Sequence, residues 1–272
     1  MTTHRLGDAP GSLVDATGRN PVAKALSLLN HMVDSEETTW TARSLAAELG
    51  APVSSVHRTL VALMRAGVLI QDAETAVYEF SVEFHRIARR VITRFPFPEL
   101  AREHLAEVAH VTGETTLLGL LDGHNDRMSF VSQVEGGHPL RYVIPLNKWV
   151  SLATGASGLA ILAFLDRDRR EAVIDDHLAS GAESTRAELE DEIELIRARG
   201  YAISHGKRIS GATGIAAPVF GADGEVIGDL VISMPYVRFM DGKEAEFAAI
   251  TLERADALTS LLGGTPRPRR EI

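Results

Sequence analysis

The chain has no cysteine, which excludes disulfides, thiol nucleophiles and cysteine-ligated zinc. No apolar run approaches the roughly 18 residues that a membrane-crossing helix needs, so no membrane partner is expected. The first twenty residues lack the apolar core of a signal peptide and read as a disordered leader, so the expectation is a cytoplasmic protein. A basic excess is missing too. Lys and Arg number 28 against 37 Asp and Glu, net −9, which counts against a partner held by charge alone. No histidine pair has a spacing such as His-Glu-x-x-His, and His104 and His110 lie on different faces of one helix, so no metal is expected. Thr154 to Gly158 and Gly211 to Gly214 are rich in small residues but lack the Lys-Ser/Thr ending of a phosphate loop and the full dinucleotide fingerprint. Close packing explains them, and no cofactor is expected.

What is present is 272 residues, enough for two domains, with 45% hydrophobic and 24% charged residues, as in soluble globular proteins. The informative stretch runs from Thr41 to Leu69. A short helix, a turn carrying Gly50 and Pro52, and a second helix to about Ala66 outline a helix-turn-helix. In the second helix Val53, Val56, Leu60 and Leu63 recur at three- and four-residue spacing and share one side. At about 100° per residue the other side carries Ser54, Ser55, Arg58, Ala62 and Arg65, with His57 at its edge. Hydroxyls and guanidinium groups suit phosphates and base edges of the major groove, and no bulky apolar group obstructs that face. An amphipathic helix with a merely solvated face has the same pattern. Residues 21 to 80 hold four basic side chains against seven acidic ones, but the acids fall mostly in loops (Asp34, Glu36, Glu37, Asp72, Glu74), while Arg58 and Arg65 fall on the free face. Useful DNA affinity therefore calls for a dimer on two half-sites.

Around this stretch, residues 22 to 34 form a first helix with Val22, Leu26, Leu29, Met32 and Val33 inward. Thr41 is an N-cap, or touches a phosphate. Val68 to Gln71 and Val77 to Phe80 around Asp72-Ala73-Glu74-Thr75 make a hairpin, which turns the helix-turn-helix into a winged helix. A helix over 82 to 94 puts Phe84, Ile87, Ala88 and Val91 in one arc; Arg86, Arg90 and Arg94 form another, either solvated or near the DNA backbone. Phe95-Pro96-Phe97-Pro98 stops it and marks a boundary. Residues 99 to 112 resume as a helix with Leu100, Leu105, Val108 and Val111 inward, capped by Gly113. Strands follow over 115 to 121, 128 to 134 and 140 to 144. Helices near 153 to 165, 167 to 178 and 185 to 199 come next, then strands over 201 to 206, 214 to 220 and 226 to 234 and a helix over 243 to 262. Residues 264 to 272 read as a disordered tail. Strands on either side of a helical block imply an α+β domain with an antiparallel sheet. The expected division is 1 to 20 leader, 21 to 80 winged helix-turn-helix, 81 to 98 linker helix, 99 to 263 second domain, 264 to 272 tail.

Leu45-Ala46, Leu49-Gly50, Ser54-Ser55-Val56-His57-Arg58, Leu60, Leu63 and Gly67-Val68-Leu69 resemble the IclR family of bacterial transcription regulators. The likeness continues through Thr112-Gly113-Glu114-Thr115, Val134-Glu135-Gly136 with His138-Pro139-Leu140-Arg141, Thr154-Gly155-Ala156-Ser157-Gly158, Ile196 to Tyr201, and Ala217-Pro218-Val219-Phe220 with Asp223-Gly224, covering about residues 22 to 262. The resemblance implies an N-terminal winged helix-turn-helix and a GAF-like second domain that binds a small organic effector. It further implies a dimer or tetramer and a double-stranded operator near catabolic genes, with repression the expected mode. DNA contacts are then assigned to Thr41, Ser54, Ser55, His57, Arg58 and Arg65. Family members that bind small keto acids use amides opening the small-residue helix, a carboxylate, a cysteine and two serines. Those positions fall here on Ala156 and Ser157, on Ser204 or His205, on Gly214, and on Val231 and Ser233. With most of that polar cage replaced and Leu140, Tyr142 and Val143 nearby, the expected effector is larger or more apolar, an aromatic acid, with His205 or Lys207 as its charge partner. Ala156-Ser157-Gly158 also distantly resembles a nucleophile elbow, so the alternative is a serine-dependent hydrolase fused to a DNA-binding module.

Overall fold

Asn20 opens the first helix, α1 (Pro21–Asp34): its side chain accepts hydrogen bonds from the amides of Val22 and Ala23, and Pro21 sits where no donor is needed. The structure, a computed structural model, describes residues 20–35, 37–94, 96–239 and 243–269. The expected leader up to residue 19, Glu36 and the last three residues of the expected tail lie outside the described residues. The chain divides into two compact units, Met1–Phe95 and Pro96–Ile272.

In the first unit α1 packs beside α2 (Ala42–Glu48) and α3 (Val53–Arg65). α1 buries Leu28 and Met32 and half-buries Leu29, whereas Val22, Leu26 and Val33 are exposed, contrary to the inward stripe expected for them. The helix carries two adjacent apolar rows, and contact with α3 decides which one is covered. Thr41 caps α2 in a closed box: its hydroxyl accepts from the Ser44 amide and the Ser44 hydroxyl accepts from the Thr41 amide, both at 3.0 Å. Strands β1 (Leu69–Gln71) and β2 (Tyr78–Phe80) pair antiparallel as the wing, and Trp40 bridges to Tyr78. In the wing turn the Asp72 carboxylate accepts from the amides of Glu74 and Thr75 and from the Thr75 hydroxyl. α4 (Val82–Arg94) begins where the Ser81 hydroxyl accepts from the Phe84 amide. Phe84 stacks on Phe80 at 5.2 Å, but Ile87, Ala88 and Val91 are exposed, and Arg86 is spent on Glu83.

The second unit is a six-stranded antiparallel sheet. Its strands are β3 (Thr115–Asp122), β4 (Arg127–Val134), β5 (Trp149–Ser151), β6 (Ala202–His205), β7 (Ala212–Phe220) and β8 (Val226–Pro235), in the order β5-β4-β3-β8-β7-β6. One face is covered by α7 (Gly155–Leu162), with α8 (Arg167–Ala179) and α9 (Arg186–Arg199) outside it. The other is covered by α5 (Phe97–Leu100), α6 (Arg102–Thr112) and α10 (Lys243–Leu261). Because both faces are buried, the middle strands read as continuous apolar runs instead of alternating ones. Phe97, Ala101, Leu105 and Val108 fill the α5–α6 contact; Leu100 and Val111, expected inward, are exposed.

Leu140 to Ile144, expected as a strand, is irregular. The Leu140 carbonyl accepts from Arg238 at 2.8 Å and the Tyr142 hydroxyl donates to the Ser210 carbonyl, so this backbone is held by side chains and the edge strand forms later, at Trp149. The tail also departs from expectation. Arg267 lies over the Phe164 and Phe220 rings and donates to the Gly224 carbonyl, and Arg269 pairs with Asp256 at 2.5 Å, so residues 264–269 pack on the second unit.

A candidate nucleic-acid interface and a candidate ligand cavity

α3 is amphipathic and the core takes its apolar side: Val56, Leu60 and Leu63 are buried against α1 and α2. Val53, expected with them, is half exposed at 48%, because the first residue of the helix projects beyond the reach of α1. The opposite side carries Ser54, His57, Arg58, Ala62 and Arg65, all exposed, with Ser55 half-buried and its carbonyl accepting from Thr59 at 3.1 Å. Among the described residues neither Arg58 nor Arg65 forms an ion pair, so both guanidinium groups have their donors free. Pro52 supplies no side-chain cap, which leaves the Val53 and Ser54 amides open while the Ser55 amide donates to the Pro52 carbonyl, and the helix dipole adds positive potential there. Thr41 is exposed, but its hydroxyl serves the α2 capping box.

In the second unit a cavity of about 60 Å³ lies between α7 and the sheet. Ser204, Gly214 and Ser233 stand in register across β6, β7 and β8, and Ala216 pairs with Val231 one step along. Gly214 is a close approach: a Cβ there would meet the Ala156 Cβ at 3.2 Å. Ala156, Ser157, Ser204, Gly214, Val231 and Ser233 are thus brought together at the cavity as the sequence proposed. Leu140, Val143 and His205 are not. Val143 is 87% exposed, the Leu140 carbonyl is held by Arg238, and the His205 Nδ1 bonds Thr213 at 3.1 Å while its ring packs on Tyr236 and Phe239. Tyr142 sits outside the wall and clasps the loop of residues 206–211 through Ser210.

That loop places Lys207, named from the sequence as a charge partner, on the cavity lining, and it brings in what sequence reasoning missed, above all Arg208; Phe130 and Ile144 line the cavity as well. Its Nη2 donates to the Ser151 carbonyl at 3.0 Å and the Thr154 carbonyl at 2.5 Å, its guanidinium carbon lies 5.7 Å from the Phe130 ring centre, and its Nε is buried with no hydrogen-bond partner. Burial pushes its pKa down, with the nearby Asp229 acting the other way. Asp229 is wholly enclosed beneath this wall. Burial raises its pKa to about 7, against the Ser157 hydroxyl and Arg208, which favour the charged form. The hydroxyl stands close enough to exert that influence, yet neither Asp229 oxygen accepts a hydrogen bond of ordinary geometry. The acid is thus left without a fixed donor. Only glycine at 119, the register partner across β3, leaves room for this carboxyl: a Cβ there would fall 2.1 Å from Oδ1. A charge spread over the basic composition of a loop gives no periodic signal, which is why Arg208 was invisible in the sequence. Ser157, the hydrolase candidate, is buried inside α7 beside this acid, and among the described residues no histidine bonds it.

A recognition helix that leaves its polar face free, carried on one chain with a sheet domain that encloses a cavity, defines a ligand-responsive DNA-binding regulator. The chain belongs to the IclR family: residues 21–73 match the IclR helix-turn-helix domain and residues 89–260 the bacterial transcriptional regulator IclR C-terminal domain. HTH-type transcriptional regulator BhcR of Paracoccus denitrificans (strain Pd 1222) is 31% identical over 258 residues, 93% of this chain and 90% of its own length. The crystal structure of an IclR transcriptional regulator candidate from Silicibacter sp. TM1040 superposes with a TM-score of 0.80 at 25% identity, covering 93% of this chain and 100% of that one. An IclR homologue from Microbacterium hydrocarbonoxydans, solved in complex with 4-hydroxybenzoate, shares the fold at a TM-score of 0.71 and 19% identity, with 89% and 99% covered. The protein is a DNA-binding transcriptional regulator, and the family consists of regulators rather than enzymes.

Proposed function

We propose that the protein represses a catabolic operon, binding a two-half-site operator as a homo-oligomer and responding to a small organic acid in the second unit. The observation that carries the DNA reading is the free polar face of α3, on which Arg58 and Arg65 have no intramolecular partner. Arg58 reads a base edge, guanine by preference; Ser54 and Ser55 contact base edges or phosphate, Arg65 a phosphate, and His57 and Thr41 the backbone. Arg58→Ala is expected to cost about 1 to 3 kcal/mol and to relax preference at one base position. Fluorescence anisotropy on operator variants checks this; a uniform loss across sequences would move Arg58 to the phosphate class.

The effector is read as a carboxylic acid with an apolar, aromatic body. Phe130, Ile144 and Val231 supply an apolar wall, and Ser204, Thr213 and Ser233 supply a few polar groups. A benzene ring occupies a cavity of about 150 Å³, so at about 60 Å³ this one takes a ring only if its rim, Ile144 and the loop clasped by Tyr142, moves outward. Such a ligand binds one arrangement better than the other, which is all that allosteric control requires. The volume as it stands favours a second reading, a compact keto acid. Titration of the full chain with 4-hydroxybenzoate and with pyruvate decides between them, and DNA release on addition of the tighter ligand tests the repressor mode.

A further inference from the structure

Arg208 stands in an environment that a lone cation does not tolerate well. Its Nη2 is satisfied by two carbonyls, but its Nε is buried and unpartnered, and among the described residues no carboxylate forms an ion pair with it. The guanidinium presses on Gly155, the first residue of α7: a Cβ on that glycine, whose φ is +74°, would come within 3.1 Å of Nε. Thr154 gives α7 no side-chain cap, so its first-turn amides also lack partners. A cation therefore lies against the positive end of a helix, where an anion belongs. Arg208 is half-buried, and the nearby carboxylate, Asp229, makes no ion pair with it, so its charge is poorly compensated and the repulsion from the helix end adds to that cost. One anion placed between them relieves both.

We propose that Arg208 selects carboxylate effectors, its guanidinium and the first-turn amides of α7 holding the carboxylate while Phe130, Ile144 and Val231 hold the body of the ligand. This rests on the reading of the cavity as the effector site. Because Tyr142 ties the same loop through the Ser210 carbonyl at 3.1 Å, an anion drawn to Arg208 also fixes the rim.

The test is calorimetry on the full-length protein with 4-hydroxybenzoate, its uncharged analogue 4-hydroxybenzamide, and pyruvate, for the native chain and for Arg208→Gln and Arg208→Lys. The native chain is expected to prefer the acid over the amide at least about tenfold. Arg208→Gln is expected to abolish that preference by weakening the acid alone, and Arg208→Lys to keep part of it. A native chain that binds acid and amide equally overturns the proposal without any mutation, which covers a variant that fails to fold. So does a folded Arg208→Gln that holds the acid unchanged. If pyruvate alone binds, the aromatic reading falls and the loss of pyruvate affinity in Arg208→Gln decides the Arg208 proposal. If no acid binds, the effector reading falls and this proposal with it.

Discussion

At the scale of single residues, Asp229 is the most consequential side chain outside the DNA face. An exposed aspartic acid titrates near 4, but burial raises this one to about 7, so the folded protein holds a proton that the unfolded chain releases. The resulting stabilisation is complete below about pH 4, declines as the unfolded chain ionises, and is gone once pH rises through about 7. Denaturant unfolding should therefore show stability falling between about pH 4 and 7, by up to about 4 kcal/mol over the full window, and levelling off above it. Asp229→Asn should flatten that dependence and leave the variant relatively more stable at pH 8. A native profile that rises over this range would show that Asp229 is ionised in the folded state. Gly119 and Gly155 were legible in the sequence only as small residues, and Gly214 as the position that resembling proteins give to a cysteine. Their meaning is the side chain each one admits: Asp229, Arg208 and Ala156 respectively.

At the scale of elements, α3 separates two roles that its sequence interleaves. Leu60 is wholly buried and Arg58, two residues earlier, is exposed. Leu60→Ala should cost about 2 to 5 kcal/mol of stability and lower the melting temperature without changing sequence preference in whatever folded fraction remains. Arg58→Ala should do the reverse. Equal melting temperatures for the two would contradict the assignment of faces. α1, α5 and α6 show where periodicity misleads: Val22, Leu26, Leu100 and Val111 have helical spacing but stay exposed, since a helix with more than one apolar row does not reveal which row its neighbour covers. The 140–144 segment misled for another reason. An alternation of Leu, Tyr and Ile looks like a strand, but the Leu140 carbonyl and the Tyr142 hydroxyl are claimed by Arg238, in a 3-10 turn, and Ser210, in a loop, both far along the chain.

At the scale of the whole molecule, net charge −9 and a recognition face with two guanidinium groups make a single domain a weak DNA binder. For the homo-oligomer proposed above, avidity from two domains on two half-sites is the remedy, and it demands that both sites face the same side of the duplex. Changing the half-site separation by about five base pairs, half a helical turn, should weaken binding far more than changing it by about ten. Gel shifts with spacer variants measure this, and indifference to spacing would argue for independent single-site binding. Across the molecule, the recognition helix and its wing and most second-unit elements could be read from local signals. Those signals were period, caps and turn residues, such as Thr41 before α2, Asp72 in the wing and Gly113 and Gly200 ending their helices. Such features depend on neighbours within a few residues, and a sequence displays those directly. The cavity's charge depends on pairs far apart: Arg208 against Gly155 and Asp229 beneath Gly119. Folding alone brings these together, because it removes water from between groups that have no short-range reason to meet, and it thereby decides where an unpaired charge is left to receive a ligand.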